Sequence, residues 1–309
     1  MGLKNGIKNL IVYGSAIAII GSGFCFGLNQ ASSEVETVVN FSYEDFDIAA
    51  HRGFSSIAVE NTTRAFDLAS QALYVDYIEM DARLTEDGKL VLAHDDEVFA
   101  PFYKNNISDM TYDEVTNKNF TYYSDDIKVY FDNLFGQDGK TIINRLSNLN
   151  GITYNVVGLE DGLEFCGDKK ILLDLKFDDN VIKFVEALED IFELKDTSNI
   201  VFQSDDSTAL LYLKTIHPEW FCSILVRDSK DLELVEYFDG IGIRKDIVDE
   251  EFVKAALDNG KLVSIWTFRS IDEVNKVATE LGNNCDEVLY ITDYPDLVFK
   301  HLVKNYNDK

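Results

Sequence analysis

The chain has 309 residues, 46% of them hydrophobic, which is enough for one large domain or two modest ones around a buried core and excludes a disordered chain. Its 55 acidic side chains against 28 basic ones leave a formal charge of -27. That balance excludes nucleic acid as a partner, because such binding draws its affinity from lysine and arginine on phosphates, and it confines any phosphate chemistry to a local cationic site.

Lys4 and Lys8 precede an uncharged run from Leu10 to Leu28, and the first acid after it is Glu34. At about 1.5 Å per residue, a helix of this length crosses a hydrocarbon core of roughly 30 Å. Residues 1–29 are therefore expected to be a hydrophobic helix serving as a signal anchor, or a signal peptide with Ala31-Ser32-Ser33 as a small-residue cleavage site. In both cases the basic flank stays cytoplasmic and the rest lies outside, membrane-anchored or secreted. The polar, acidic stretch 30–44 reads as a linker.

From residue 45 to 309 the pattern alternates. β-rich runs at about 46–50, 76–82, 89–94, 170–177, 199–204, 221–226, 240–244, 262–267 and 288–292 mostly precede helical patterns, which are clearest at 62–72, 180–193, 207–216, 249–259, 271–281 and 295–305. Repeated strand-then-helix units predict an α/β fold, a TIM-type (β/α)8 barrel with all strands parallel. No Gly-x-Gly-x-x-Gly loop follows a strand, which removes the main support for a dinucleotide fold. Nine runs compete for eight places. The Asp87-Gly88 turn leaves no room for a crossover helix before 89–94, and Gly240-Ile241-Gly242-Ile243 is the other candidate for an irregular segment. Residues 116–157, rich in Asn, Tyr, Asp and Gly, read as an insertion, over the barrel mouth or on the surface. Cys25, Cys166, Cys222 and Cys285 have neither Cys-x-x-Cys nor metal-ligand spacing and read as small core residues; a single bridge from Cys166 to Cys222 or Cys285 is the alternative.

The residues with chemistry fall at strand ends: Ala50-His51-Arg52-Gly53, Glu60-Asn61-Thr62, Glu79-Met80-Asp81, His94-Asp95 and Asp174-Leu175-Lys176. Side chains alternate faces along a strand, so Glu79 and Asp81 share one face, as do Asp174 and Lys176. Inward-facing groups at the C-terminal strand ends of a parallel barrel converge. Three carboxylates meeting there call for a divalent cation, and hard oxygen ligands select Mg²⁺ or Ca²⁺; pairing of each acid with a lysine or arginine is the alternative. His51 and His94, titrating near pH 6.5 when unperturbed, suit proton transfer in either direction. Arg52 offers a two-pronged grip on phosphate and Lys176 a point charge. Glu60 and Asn61 are candidates to orient His51 or Arg52, with Asn61 or Thr62 also placed to cap the following helix. Trp266, at a strand top, is a candidate apolar wall for substrate carbons, or core.

Ala-His-Arg-Gly, Glu-Asn-Thr, Glu-x-Asp, His-Asp, an acid-x-Lys strand, Trp266-Thr267 and Ile291-Thr292-Asp293-Tyr294-Pro295 follow in an order that resembles the glycerophosphodiester phosphodiesterase family, over about residues 46–300. The resemblance implies a TIM-type barrel with His51 and His94 as the acid/base pair. It also implies Glu79, Asp81 and Asp174 as metal ligands, and Arg52 and Lys176 on the phosphate. The implied reaction is metal-dependent hydrolysis of a small-molecule glycerophosphodiester to sn-glycerol 3-phosphate and an alcohol. Two departures stand out. Asp174 occupies a position where the family usually has Glu, and Glu97-Val98-Phe99-Ala100 replaces the usual Arg-Thr-Thr stretch after His94-Asp95. A lysophospholipase D or sphingomyelinase D-like lipid phosphodiesterase is the alternative within enzymes. A membrane-tethered, non-catalytic binder of phosphorylated polymers is the alternative of another class.

Overall fold

A computed structural model describes residues 46–100, 103–122, 152–177 and 180–306. The expected anchor or signal peptide (1–29), the linker (30–44) and most of the expected insertion lie outside the described residues. Among those described, no helix is long and apolar enough to cross a membrane.

In chain order the elements are β1 (Asp47–Ala50), α1 (Thr63–Gln71), β2 (Tyr77–Leu84), β3 (Leu90–Leu92), β4 (Glu97–Ala100), β5 (Tyr103–Asn106), α2 (Tyr112–Thr116), β6 (Phe120–Tyr122), β7 (Ile152–Tyr154), β8 (Val157–Gly158), α3 (Leu159–Glu164) and β9 (Lys170–Leu175). They continue with α4 (Val181–Phe192), β10 (Ile200–Ser204), α5 (Ser207–Ile216), β11 (Phe221–Val226), β12 (Gly240–Arg244), α6 (Glu250–Asp258), β13 (Leu262–Phe268), α7 (Ile271–Leu281), β14 (Leu289–Thr292) and α8 (Pro295–Tyr306). Strands β1, β2 and β9 to β14 pair in parallel with their chain neighbours, and β1 also pairs with β14, closing the barrel. A 3-10 segment, Ser229–Tyr237, replaces a helix between β11 and β12.

Short polar side chains start the helices: Thr62, Asn180, Asp206, Asp249 and Ser270 each accept a first-turn N–H, leaving fewer orphan donors at the helix ends. The barrel strands are buried on both faces, and the two faces differ. One face packs on the helices: Ile48, Ile78, Met80 and Leu173 join Phe66, Phe184, Leu188 and Val274 in the main core. The other face carries a smaller cluster of Ala49, Tyr77, Leu172, Val201, Leu289 and Ile291 inside the barrel. Two residues further along the same strands, at the same parity, come His51, Glu79, Asp174, Gln203 and Asp293. The interior is thus apolar below and polar at the C-terminal rim.

Both doubtful strands exist. Gly240–Arg244 is a regular stave, and its glycines make room, since a Cβ on Gly242 would collide with Leu225 and come 3.3 Å from Trp266 Cδ1. The 89–94 run is the surplus one: β3 lies antiparallel to β2, outside the closed barrel, with Ala82 opposite Leu92. It opens the long β2-to-β9 connection, so the excursion begins well before residue 116. In it β4 pairs with β5, β6 with β7 and β8 with β3, over a separate cluster of Val91, Val98, Ile107, Met110, Val115, Phe120 and Val156. Phe120 and Val156 of the predicted insertion join this cluster, so its described part is packed on the rest of the excursion. Cys166, Cys222 and Cys285 are buried thiols outside any disulfide, in keeping with small core residues.

Candidate active site

At the C-terminal rim a cavity of about 270 Å³ is lined by His51, Arg52, Glu79, Asp81, His94, Asp174 and Lys176 from one side, and by Gln203, Leu225, Arg227, Arg244, Lys245, Asp246, Trp266, Thr267, Arg269 and Ile291 from the other. Strand register explains the first group. Asp81 stands opposite Asp174 in the β2–β9 pair, and the pleat places Glu79 on the same face. One carboxylate oxygen from each of Glu79, Asp81 and Asp174 lies within 4.8 Å of the others, and all three residues are buried.

Their surroundings decide how much charge they hold. Burial would raise the Asp81 pKa, but Lys176 Nζ at 3.0 Å and the Arg52 guanidinium outweigh it and hold the group well below the usual range. Burial raises Glu79, helped by Asp81 and only partly opposed by His51, whose Nε2 is 4.0 Å away. Asp174 is raised by burial, against its ion pair with Lys176 at 2.5 Å. Arg52 and Lys176 thus supply two positive charges against three carboxylates, and Glu79 is left under-compensated. An all-oxygen donor set short of positive charge fits a divalent cation such as Mg²⁺ or Ca²⁺.

The chain around His51 is bent tightly. Arg52 and Asn61 hold left-handed φ angles of 55° and 53°, and Gly53 one of 78°. A Cβ on Gly53 would come within 2.7 Å of the Ala65 backbone, so only glycine fits there. This turn aims the Arg52 N–H at Glu79 Oε2 (2.8 Å). The Arg52 side chain donates to Glu60 Oε1 at 2.8 Å, while its Nε lies 3.3 Å from Asp81 Oδ2 without the alignment of a hydrogen bond. Glu60 therefore orients Arg52. Asn61 holds the turn at Arg52 through its backbone, whose N–H donates to the Arg52 carbonyl (3.0 Å), while its side chain serves Asp81: the amide donates to Asp81 Oδ2 (2.8 Å) and the oxygen accepts from the Asp81 N–H (3.1 Å). Capping of α1 falls to Thr62, which accepts from the Ala65 N–H.

The two imidazoles are held alike. His51 Nδ1 is 2.5 Å from Asp293 Oδ1, a pairing that follows from the barrel's closure, since Ala50 stands opposite Thr292 and the next residues extend together. Burial would raise the Asp293 pKa, but His51 and Arg269 hold it at about 2. An ionised carboxylate only accepts, so His51 Nδ1 carries hydrogen and Nε2 is left for chemistry. Burial and Arg52 act to lower the His51 pKa, and Asp293 with Glu79 outweighs them, for a net rise. His94 follows β3, where Arg83 Nε donates to its carbonyl (2.9 Å), and its Nδ1 pairs with Asp95 Oδ1 (2.8 Å). Burial, with Arg52 and Lys176, lowers its pKa against Asp81.

Every residue singled out from sequence for chemistry on substrate or metal lines this cavity: His51, His94, Arg52, Lys176, Trp266, Glu79, Asp81 and Asp174. Arg52 and Lys176 meet carboxylates there, so the alternative of acid–base pairing holds for Asp81 and Asp174. Four features escaped the sequence reading: the role of Asp293, quoted there only within a motif, Gln203, the cations Arg227, Arg244, Lys245 and Arg269, and the Arg227 guanidinium 5.0 Å over the Trp266 ring. Asp293 shares the inward parity of Ile291, a signal that would have found it.

The profile of the glycerophosphoryl diester phosphodiesterase family matches residues 51–297. The chain belongs to this family. A glycerophosphodiester phosphodiesterase of Caldanaerobacter subterraneus is 49% identical over 51 residues, 16% of this chain and 21% of that protein. One from Bacillus altitudinis is 41% identical over 69 residues, covering 22% of this chain and 28% of the relative. Two further curated relatives are likewise matched over only about a fifth of their own length. A phosphodiesterase from Oleispira antarctica, solved with the product sn-glycerol-3-phosphate, superposes with a TM-score of 0.62 at 20% identity, over 83% of this chain and 96% of that one, and shares the fold.

Proposed function

We propose that this protein hydrolyses glycerophosphodiesters to sn-glycerol 3-phosphate and an alcohol, using two histidines as proton carriers and one divalent cation, Mg²⁺ or Ca²⁺, held by Glu79, Asp81 and Asp174. The observation that carries the reading is the pair of imidazoles, each with a carboxylate behind Nδ1, lining one cavity with the acid triad. A phosphodiester is an anion that resists attack until its charge is neutralised and two protons are moved. His51 and His94 supply the transfers: one takes the proton of the nucleophile, water or a neighbouring glycerol hydroxyl, and the other protonates the leaving oxygen. Such catalysis contributes about 10² to 10⁴ in rate. The Arg52 guanidinium, oriented by Glu60, and the Lys176 ammonium both line the cavity, where their positive charge would oppose the negative charge that develops on the phosphate. When bound, the cation would polarise a phosphoryl oxygen as a Lewis acid. The family membership and the relatives' names support the same substrate class.

The described rim across from the histidines is charged, with Arg227, Arg244, Lys245 and Arg269, and this favours a hydrophilic diester over a lipid. The uncharged run from Leu10 to Leu28 supports an extracytoplasmic placement, anchored or secreted. The deciding assay sets glycerophosphocholine, glycerophosphoglycerol and lysophosphatidylcholine side by side on the full chain, with and without chelator. Chelator-sensitive release of glycerol 3-phosphate from the first two is expected. Choline release from lysophosphatidylcholine alone would favour the lipid phosphodiesterase reading, and binding without turnover would favour a non-catalytic one.

A further inference from the structure

Inside the cavity one amide is unaccounted for. Gln203 is 2% exposed, lines the cavity from β10, and its Oε1 has no hydrogen-bond partner. Its position is set by register: it stands opposite Asp174 on one side and Ser223 on the other, so its side chain shares the inward face of the acid triad. A buried acceptor left unpaired costs the folded state the desolvation of that group with nothing in exchange, and a ligand hydroxyl would restore the missing bond. Across the mouth the indole Nε1 of Trp266, also on the cavity wall, is a buried donor with no partner. An unmatched acceptor and an unmatched donor on two side chains that line one cavity suit a ligand that carries hydroxyl groups, since a hydroxyl both donates and accepts. The apolar part of the lining, Leu225, Ile291 and the Trp266 ring, suits the carbons between them.

We infer that Gln203 is a specificity-determining residue that accepts a hydrogen bond from a hydroxyl of the substrate, so that the site selects polyol diesters over diesters of equal charge without hydroxyls. The inference rests on the phosphodiesterase reading and deepens it. A site built to pair a hydroxyl rejects analogues lacking it far more strongly than an apolar pocket rejects a wrong shape, because the protein group is then stranded. A competing account is structural: a buried water bridging Gln203 Oε1 to the Ser223 hydroxyl, which also lacks a partner.

The test compares Gln203→Met, which keeps the volume and removes the acceptor, with the unaltered full chain on glycerophosphoglycerol and on bis(p-nitrophenyl) phosphate, which has no hydroxyl. Expected is a fall of about 10- to 100-fold in kcat/KM for glycerophosphoglycerol, mostly in KM, with bis(p-nitrophenyl) phosphate unchanged within about 2-fold. Gln203→Asn, which withdraws the amide by one methylene, should show a smaller loss with the same selectivity, and carries the test if the Met variant does not fold. Equal losses on both substrates with a lowered Tm would establish the structural account and overturn the inference. So would no loss on either. If the unaltered protein cleaves no glycerophosphodiester, the parent reading falls and this inference with it; if it cleaves both substrates and the variants show no selectivity, this inference alone falls.

Discussion

The mouth of the barrel has two halves that differ in how their charges are held. On the β1, β2 and β9 side, Glu79, Asp81 and Asp174 are 2%, 1% and 6% exposed; Asp81 and Asp174 pair closely with Arg52 and Lys176, while Glu79 has His51 at 4.0 Å. On the β11, β12 and β13 side, the Arg227 and Arg244 side chains are 53% and 40% exposed and pair with Asp205 and Asp246, which are equally open to solvent. Water and salt screen the second set, whereas burial makes every unit of imbalance in the first costly. Charge alone therefore does not tell the two halves apart; the depth at which the fold holds it does.

The comparison breaks most directly at the imidazoles. His51→Ala and His94→Ala should each lower kcat/KM on glycerophosphoglycerol by about 10² to 10⁴-fold, measured at saturating Mg²⁺ or Ca²⁺. Comparable activity in either variant would remove the proton-transfer role. Asp293→Asn keeps the shape behind His51 but no longer demands hydrogen on Nδ1, and a loss of about 10- to 100-fold is expected with little change in KM. Glu79→Gln sharpens the buried half. Millimolar Mg²⁺ or Ca²⁺ should raise the Tm of the unaltered protein by several degrees, as ligand at about 100 times its Kd contributes about 2.7 kcal/mol, and should leave the variant unmoved. Without added cation the variant should melt no lower than the original, because burial already favours the neutral form of Glu79, which Gln imitates. Arg244→Gln, in the exposed half, should change kcat/KM by less than about 3-fold at 0.15 M salt, exposed pairs being worth about 0.2–1 kcal/mol; a large loss would show that this half also handles charge in the reaction.

The smallest effect lies at the far end of the barrel. Burial pushes the Asp76 carboxyl up to about 6, against its hydrogen bond from the Ile48 N–H. The folded state therefore binds this proton more tightly than the unfolded chain, whose aspartate titrates near about 3.9, so its contribution is full below that value and is lost as pH rises toward 6. Asp76→Asn should flatten the Tm slope between about pH 4 and 6, and an unchanged slope would assign it to other groups.

Local pattern went far here. Periodicity located every barrel strand and most helices, because a stave buried on both faces and a helix buried on one leave different repeats in the chain. The spacing Glu79-Met80-Asp81 placed two carboxylates on one face without any knowledge of neighbours. Asn61 shows where such reading stops: its motif sits beside His51 and Arg52, yet its side chain reaches Asp81, because a left-handed turn redirects it. The Asp87-Gly88 turn marked the 89–94 run as one of two candidates for the surplus strand, but the choice between them and the antiparallel pairing with β2 depended on what β3 finds beside it.

The sequence by itself determined the alternation of strands and helices, the polar ends of the staves and the presence of two histidines with three acids, since these follow from side-chain chemistry and from repeats only a few residues long. Tertiary structure alone decided that Asp293 stands behind His51, that Lys176 and Arg52 neutralise Asp81 but leave Glu79 short, and that Gln203 faces the cavity unpaired. Those facts depend on closure of β1 against β14 and on the register between distant strands. Such registers arise from packing across the whole barrel, and no local stretch of chain encodes them.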